Sequence, residues 1–301
     1  MKAIYYLFVI LIFSTCKKKE ILVDGNTPYN NSYISSIQIE NYVNKLFIDL
    51  IGREPLNTEM ELEVEALKTA ELSENARLLL IDKLQNNTAY LEGDSSYKQA
   101  YYHRFYDVVK IKMLEGIEDD VMREQLGLNY TAYQGAVNSG DSAKAAIELK
   151  NIEEIEDVLN ISKDYRNGTT TINEIFIRLI DNYVYDIINM QTFNFINATY
   201  QDLFFRYPTE QEYNASFEMI ENNSAQYILG QSGTNKGEYQ EILMNSREFH
   251  EGIIVWTYKS LLIREPNAAE TAKAMSLFLA SKNFQELQSG IMKTDEYANF
   301  N

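Results

Sequence analysis

Apolar residues recur at helical spacing along most of the chain from Asn41 onward. Between Ile172 and Ile188 they follow one another at intervals of three and one, which produces one continuous apolar stripe. No stretch alternates apolar and polar residues for long enough to predict a sheet. The pattern therefore predicts an all-α, multi-helix fold. The predicted helices are 34–51, 58–70, 73–86, 96–115, 118–125, 142–160, 171–192, 198–205, 209–222, 236–245, 247–263, 267–280 and 283–293.

One short pattern ends three of these helices. An aromatic residue stands six positions before an arginine, a leucine stands three before it, and a proline stands two after it. A glutamate follows four residues after each proline. Because proline disfavours helical geometry in the residue before it, the incoming helix must stop near the arginine. In the second and third units the glutamate suits the capped start of a second helix; in the first unit Leu56 stands at the cap position, and we expect Thr58 with Glu61 to supply the capping box two residues later. The residues are Arg53, Pro55 and Glu59; Arg206, Pro208 and Glu212; and Arg264, Pro266 and Glu270.

A second pattern follows each of these helix–Pro corner–helix units at a variable distance. A polar residue stands three positions before an aromatic one, as in 246–249 and 294–297. We expect the polar residue to cap the next helix and the aromatic residue, Tyr90, Phe249 or Tyr297, to pack in the core. Because the three arginines recur at equivalent corners, we expect them to be structural and not to bind anions.

The repeated unit resembles known helical repeats. The succession of Arg-x-Pro, a helix and then Ser-x-Glu-Phe is one such resemblance, to the repeat of the phycobilisome-linker-like domain of unknown function. The first unit, 43–55 with 80–84, is similar to the domain of unknown function that accompanies cytochromes in planctomycetes. Neither resemblance implies a catalytic residue. A c-type haem would need two cysteines, so no cofactor is expected.

The first residues are typical of an export signal. Residues 1–15 combine Lys2, an apolar run and two small hydroxyl residues, and the run is about half of the ~20 residues that a spanning helix requires. Cys16, the only cysteine, follows directly, and this arrangement resembles the lipobox of Bacteroidetes-type lipoproteins. The resemblance implies that Cys16 is the lipid attachment site, acylated for example with palmitate. An ordinary secretory signal with an incidental thiol is the alternative.

The chain is therefore expected to have four parts. These are a signal peptide over 1–15, a lipidated tether over 16–37, a first helical domain over 38–162, and a second helical domain over 170–301 with two repeat units. Basic residues, not acidic ones, follow Cys16. We therefore expect a lipid anchor in the outer membrane, with the periplasmic side favoured over the cell surface.

Composition excludes several classes of function. The chain has 44 acidic and 27 basic residues and a formal charge of -17, which argues against a nucleic-acid binder. One cysteine and two histidines exclude a disulfide framework and a Cys/His zinc site. His103 and His250 have no G-x-S-x-G sequence beside them, and the acidic runs at 118–120 and 153–157 are expected on solvated helix faces. We predict neither a catalytic residue nor a bound metal.

These patterns favour a non-enzymatic envelope protein, a scaffold or accessory subunit with a protein partner. The alternative is a binder of extracellular polymer, glycan or peptidoglycan, or of a small ligand, because tyrosines form contact surfaces. An envelope hydrolase that uses carboxylates is the third hypothesis. The tyrosines of the first half that prompt the alternative are Tyr29, Tyr33, Tyr97, Tyr101, Tyr102, Tyr130 and Tyr133.

Overall fold

The computed structural model describes residues 34–91 and 95–300, so Cys16, the predicted export signal and most of the predicted tether lie outside the described residues. Sixteen helices and one two-stranded hairpin form the described part, which confirms the predicted all-α fold. Within that part, no helix has both the length and the apolar character needed to cross a bilayer.

The elements run in the following order. They are α1 (Ser36–Ile51), α2 (Asn57–Thr69), α3 (Glu74–Asn86), α4 (Tyr97–Met113), α5 (Asp119–Ser139), α6 (Ser142–Leu159), α7 (Ile161–Asn167), α8 (Ile172–Ile180), α9 (Tyr183–Ile188), α10 (Thr192–Phe204), α11 (Glu210–Asn222), β1 (Gln226–Ile228), β2 (Gln231–Gly233), α12 (Lys236–Asn245), α13 (Arg247–Leu262), α14 (Ala268–Ser281), α15 (Phe284–Met292) and α16 (Asp295–Ala298).

The described residues from Ser35 onward belong to one compact unit. Helix α1 packs against α2, α3 and α4 and also against α16, while α13 contacts α10, α12, α14 and α15. The hydroxyl of Tyr42 donates to the Met292 carbonyl oxygen at 3.2 Å, and the Lys45 ammonium donates to the Leu261 carbonyl oxygen at 3.1 Å. Helices on either side of the predicted boundary near residue 165 thus pack together, and the division into two domains stays a prediction.

Aromatic side chains fill much of the core. Rings meet mainly edge to face at centroid distances such as 5.3 Å between Phe176 and Phe249, the geometry that aromatic pairs prefer. Several buried tyrosines turn their hydroxyls to acceptors at the edge of the core, as Tyr106 does to Asp119 at 2.8 Å. The largest fully buried side chains include Tyr42, Tyr101, Tyr106, Tyr185, Tyr200, Tyr239 and Tyr297.

The predicted single helix over 171–192 is wrong. The chain leaves helical geometry at Asp181, and Asn182 caps α9 instead. The Asn182 side-chain oxygen accepts from the backbone N–H groups of Val184 and Tyr185, and its amide donates to the Leu179 carbonyl oxygen at 3.0 Å. The buried asparagine therefore replaces the backbone bonds that would continue the helix, although the apolar stripe runs through the break.

Several other elements differ from the sequence prediction. Helix α10 begins at Thr192 rather than at residue 198, and the apolar pattern does not predict α7 or α16. The helix expected over 118–125 continues to Ser139 as α5. Only one residue in every seven is buried along it, namely Met122, Asn129 and Ala136. So few buried positions give no clear apolar stripe from which the full length of the helix could be predicted. The two short strands pair antiparallel through a turn at Gly230, whose φ is +84°. Strands of three residues are too short to show an alternating pattern.

One very close contact sets the position of α13 on α10. A Cβ atom placed on Gly252 would lie 1.9 Å from the Leu203 carbonyl oxygen. Only glycine allows the backbones to approach this closely. Because Glu248 precedes Gly252 by one helical turn, this contact also brings the start of α13 to the end of α10.

Candidate functional site: three arginine corners and a cavity

The three corners enclose their arginines in the same way. In each, the residue before the arginine ends the incoming helix in the left-handed conformation: Gly52 at φ 84°, Phe205 at φ 57° and Ile263 at φ 57°. The proline then holds the chain extended until the next helix begins. This reversal turns the guanidinium toward the start of the second helix of each unit.

Each arginine binds the glutamate that the sequence pattern singled out. Nη1 and Nη2 donate to the two carboxylate oxygens of that glutamate at 2.7–2.9 Å, a bidentate pair. Nη1 also donates to the carbonyl oxygen of the residue after the arginine at 2.9–3.0 Å. The glutamate accepts from the backbone N–H at the N-cap at 2.7 Å in all three units. The capping box expected at Thr58 and Glu61 is therefore wrong, because α2 begins at Asn57 and Glu59 caps it. One carboxylate therefore both caps the second helix and fixes the end of the first.

A further glutamate, which sequence reasoning missed, binds two of the arginines. Nε of Arg206 donates to Glu248 at 2.5 Å, and Nε of Arg264 donates to Glu296 at 2.5 Å. Both glutamates stand directly before the aromatic residue of the second sequence pattern. That shared position was a signal of their role, and only the fold shows which cation they meet.

The first unit departs from the other two. Ala89 occupies the position of Glu248 and Glu296, and the Tyr97 hydroxyl instead donates to Glu59 at 2.7 Å. Tyr90 is 80% exposed, whereas Phe249 and Tyr297 are buried. The expectation that all three aromatic residues pack in the core is therefore wrong for Tyr90, because helix α4 begins later and brings Tyr97 to the corner instead. The expected cap is wrong in this unit too, since Asn87 ends α3 and Ser96 caps α4.

The corners shift the ionisation of their carboxyls. Burial opposes ionisation of Glu59, but hydrogen bonds from Arg53, Tyr97 and the Leu56 backbone lower its pKa to about 2. Hydrogen bonds from Arg206 likewise lower the pKa of Glu212 to about 2. Two carboxylates face one guanidinium at Arg206 and again at Arg264, so the local charge is negative. This charge disfavours binding of an anion at either arginine.

A cavity of about 120 Å³ lies between α1, α4, α13 and α15. The only tryptophan, Trp256, lines it and stacks on Phe284 at 5.7 Å. The Tyr101 hydroxyl donates to Gln288 at 2.7 Å across its wall. Asp49 lies at the edge of the cavity. Burial raises the pKa of its carboxyl, although a hydrogen bond from Tyr297 acts in the opposite direction. The cavity thus combines aromatic walls with a few polar groups.

Lys112 lies next to this cavity, one helical turn beyond Val108. Its ammonium is 4.6 Å from the Phe205 ring centre and 5.9 Å from that of Trp256. Burial lowers the pKa of Lys112 to about 8, although the nearby Asp202 carboxylate favours the charged form. Sequence reasoning did not single out Lys112, since the groups that bury it come from α10 and α13, far along the chain.

The two histidines lie in different environments. His250 is buried, with Nδ1 2.8 Å from the Ser246 carbonyl oxygen, and burial lowers its pKa. His103 is exposed, with Nε2 3.9 Å from Asp107. Over residues 34–91 and 95–300, no group of three or more His, Cys, Asp or Glu side chains is arranged to hold a metal ion.

Comparisons with protein-family models, with curated proteins and with solved structures found no match to this chain. The resemblances to helical repeats and to a lipobox therefore stay predictions, and functional inference depends on the chain's own surface.

Proposed function

We propose that this protein is a lipid-anchored envelope protein that acts as a non-catalytic scaffold or accessory subunit of an outer-membrane or periplasmic assembly. The lipobox-like segment ending at Cys16 supports the anchor. The corners support the scaffold role, because their arginines are engaged in joining helices.

The observation that carries the proposal is an exposed apolar surface around the turn between α9 and α10, the aromatic patch. It comprises the exposed Ile187, Met190 and Phe193 and the half-buried Tyr213 and Phe217. Met190 is 66% exposed and Phe193 is 58% exposed. The Phe193 ring meets Tyr213 at 5.7 Å, and Tyr213 stacks on Phe217 at 6.2 Å. Exposed clusters of this kind are typical of protein-binding surfaces, where aromatic residues supply most of the affinity.

A pull-down of the full-length chain from detergent-solubilised membranes tests the proposal. We expect the wild-type chain, at native levels, to retain an envelope protein that Phe193→Asp loses, because the charge would be buried against the partner. Tyr227→Asp is the matched control, since Tyr227 is similarly exposed but lies on the β-hairpin. Recovery of the chain alone, or equal recovery of a partner with both variants, contradicts the proposal.

The anchor has its own test. Labelling with a radioactive or clickable fatty acid should mark the wild-type chain, and Cys16→Ser should abolish both the label and the membrane association. A labelled Cys16→Ser chain, or an unlabelled wild-type chain, contradicts lipidation at Cys16.

Small-ligand binding is the second candidate, and the cavity beside Trp256 favours it. Its volume is close to that of an engineered cavity of about 150 Å³ that binds benzene. Because Trp256 is the only tryptophan, its fluorescence reports occupancy directly. Titration with benzoate or benzyl alcohol should change that emission, and Val108→Phe should prevent the change.

Polymer binding finds less support among the tyrosines of the first half. Tyr97, Tyr101 and Tyr102 are buried, so these tyrosines present no rings to a polymer.

A further inference from the structure

The cavity beside Trp256 has an apolar floor and a polar mouth. Leu50 and Phe284, which form part of its floor, are buried. Ser260 also lines the cavity and is exposed, so the cavity opens to water on that side. Arg104 lines the same cavity and is half-buried. A ligand that matches this arrangement has an apolar body and a polar end.

Among the described residues, Arg104 has no partner for its charge. Its Nε atom is buried without a hydrogen bond, and its guanidinium forms no ion pair with residues 34–91 or 95–300. A half-buried cation that is left unpaired is costly, because it loses hydration without a replacement. The carboxylate of a ligand would supply that replacement. Arginines of this chain that do bind a carboxylate, at 2.7–2.8 Å, are Arg53, Arg77, Arg178, Arg206 and Arg264.

Gly52 makes room for the Arg104 side chain. It ends α1 in the left-handed conformation, at the position where the other two corners have Phe205 and Ile263. Left-handed geometry alone therefore does not require glycine at this position. A Cβ atom on Gly52 would lie 3.1 Å from Cδ of Arg104, which is closer than an ordinary contact. The glycine thus lets the aliphatic part of Arg104 pack against the first corner, beside the cavity.

We propose that this cavity binds a small carboxylic acid with one aromatic ring, whose ring packs against Trp256 and whose carboxylate pairs with Arg104. The inference rests on small-ligand binding at the cavity, the second candidate function, and specifies the class of ligand. A volume of about 120 Å³ leaves room for one ring. Trp256 and Phe284 stack on each other and provide an aromatic wall for that ring. A guanidinium offers parallel N–H donors that match the two oxygens of a carboxylate.

Asp49 is the one acidic residue in the cavity lining of the described chain, and its charge is compensated by other groups. Its Oδ2 accepts a hydrogen bond from the Tyr297 hydroxyl at 2.7 Å. Burial raises the pKa of its carboxyl, and of the two cations that act against burial, Lys45 has a larger effect than Arg104. Asp49 therefore belongs mainly with Tyr297 and Lys45, and the Arg104 guanidinium stays available to a ligand.

The formal charge of -17 opposes the approach of an anion from a distance but not its contact with Arg104. Salt screens exposed charges over about 8 Å at physiological ionic strength, whereas a pair that is partly withdrawn from water is screened much less. The chain as a whole attracts a cation, yet a cation inside the cavity would be repelled by Arg104. The charge preference of the cavity is therefore opposite to that of the surface, and this difference can be measured.

Three probes of similar size test the inference on the purified full-length chain at pH 7. Benzoate, benzyl alcohol and benzylamine share one ring and differ in charge, and the emission of Trp256 reports the binding of each. We expect benzoate to bind at least tenfold more tightly than benzyl alcohol, and benzylamine to bind most weakly. Val108→Phe, which fills the cavity, should abolish the binding of all three. A smaller preference for benzoate overturns the inference but leaves small-ligand binding intact, whereas no binding of any probe refutes both.

Substitution of Arg104 tests the pairing itself. Arg104→Gln should weaken benzoate binding at least tenfold and change benzyl alcohol binding by less than about twofold, so retained binding of the alcohol shows that the cavity is intact. The control Arg123→Gln, at an exposed position on α5, should leave both affinities unchanged. Unchanged benzoate binding in Arg104→Gln overturns the proposal. If Arg104→Gln binds neither probe, Arg104→Lys decides in its place: it keeps the charge and should still prefer benzoate, and a chain without that preference overturns the proposal.

Discussion

The contact between Gly252 and the Leu203 carbonyl oxygen allows a sharp prediction about stability. In Gly252→Ala the new Cβ would lie 1.9 Å from that oxygen. An ordinary carbon–oxygen contact is about 3.3 Å, so α13 must move away from α10 by roughly 1.4 Å. The obstacle is backbone, which cannot rotate aside as a flexible side chain can.

The cost has two sources. Overpacking of this kind destabilises by about 1–3 kcal/mol, and separation of the helices also exposes the buried Leu203 and Ile253. The same movement stretches the pair between Arg206 and Glu248, and hydrogen bonds to charged groups contribute about 1.5–3 kcal/mol. We expect Gly252→Ala to lose about 3–5 kcal/mol of the free energy of unfolding.

Urea unfolding and thermal melts followed by circular dichroism measure this loss, which corresponds to a melting temperature lower by about 10 °C. Gly290→Ala is the matched control, because in the described chain nothing lies within 4 Å of its Cβ position in α15. Its helix should gain up to about 1 kcal/mol. A Gly252→Ala chain within about 0.5 kcal/mol of wild type would show that the α10–α13 contact is not close in solution.

Three further predictions concern the corners. Arg206→Ala should lower the melting temperature by about 5–10 °C without affecting the binding of a partner or ligand. The control Arg247→Ala, at an exposed position, should change neither the melting temperature nor binding. An Arg206→Ala chain of unchanged stability that has lost binding would contradict a structural role. Ile263→Gly should stabilise the chain by up to about 1 kcal/mol in urea unfolding, because Ile263 is left-handed and 91% exposed. Phe205→Gly should destabilise the chain, because the Phe205 ring contacts Lys112 and Lys259. An equal change in the free energy of unfolding for Ile263→Gly and Phe205→Gly would refute this reasoning. The pKa of Glu212 is about 2, below its usual 4.5, so its carboxylate stabilises the fold above pH 4.5 and loses this effect as the pH falls through 2. Glu212→Gln should therefore be less stable than wild type at pH 7 and approach it near pH 2 in urea titrations, and a difference independent of pH would contradict the shift.

Local interactions explain which parts of the fold the sequence reveals. Glu212 and Glu270 lie four residues after a proline, at the N3 position of a capping box, and such boxes depend on groups within one helical turn. The break at Asn182 was missed because the apolar stripe continues through it, and only the burial of its amide makes the cap preferable to a continuous helix.

The sequence by itself determined the helical class, the repeated corners and the capping roles of Glu212 and Glu270, because these depend on spacing within a few residues. It also determined that Cys16 is the only thiol. The tertiary structure decided which groups meet across helices: Glu248 reaches Arg206 because Gly252 lets α13 approach α10, and Tyr97, not Tyr90, reaches the first corner. Such pairings depend on how helices distant along the chain pack, and a pattern with a period of a few residues carries no information about that packing.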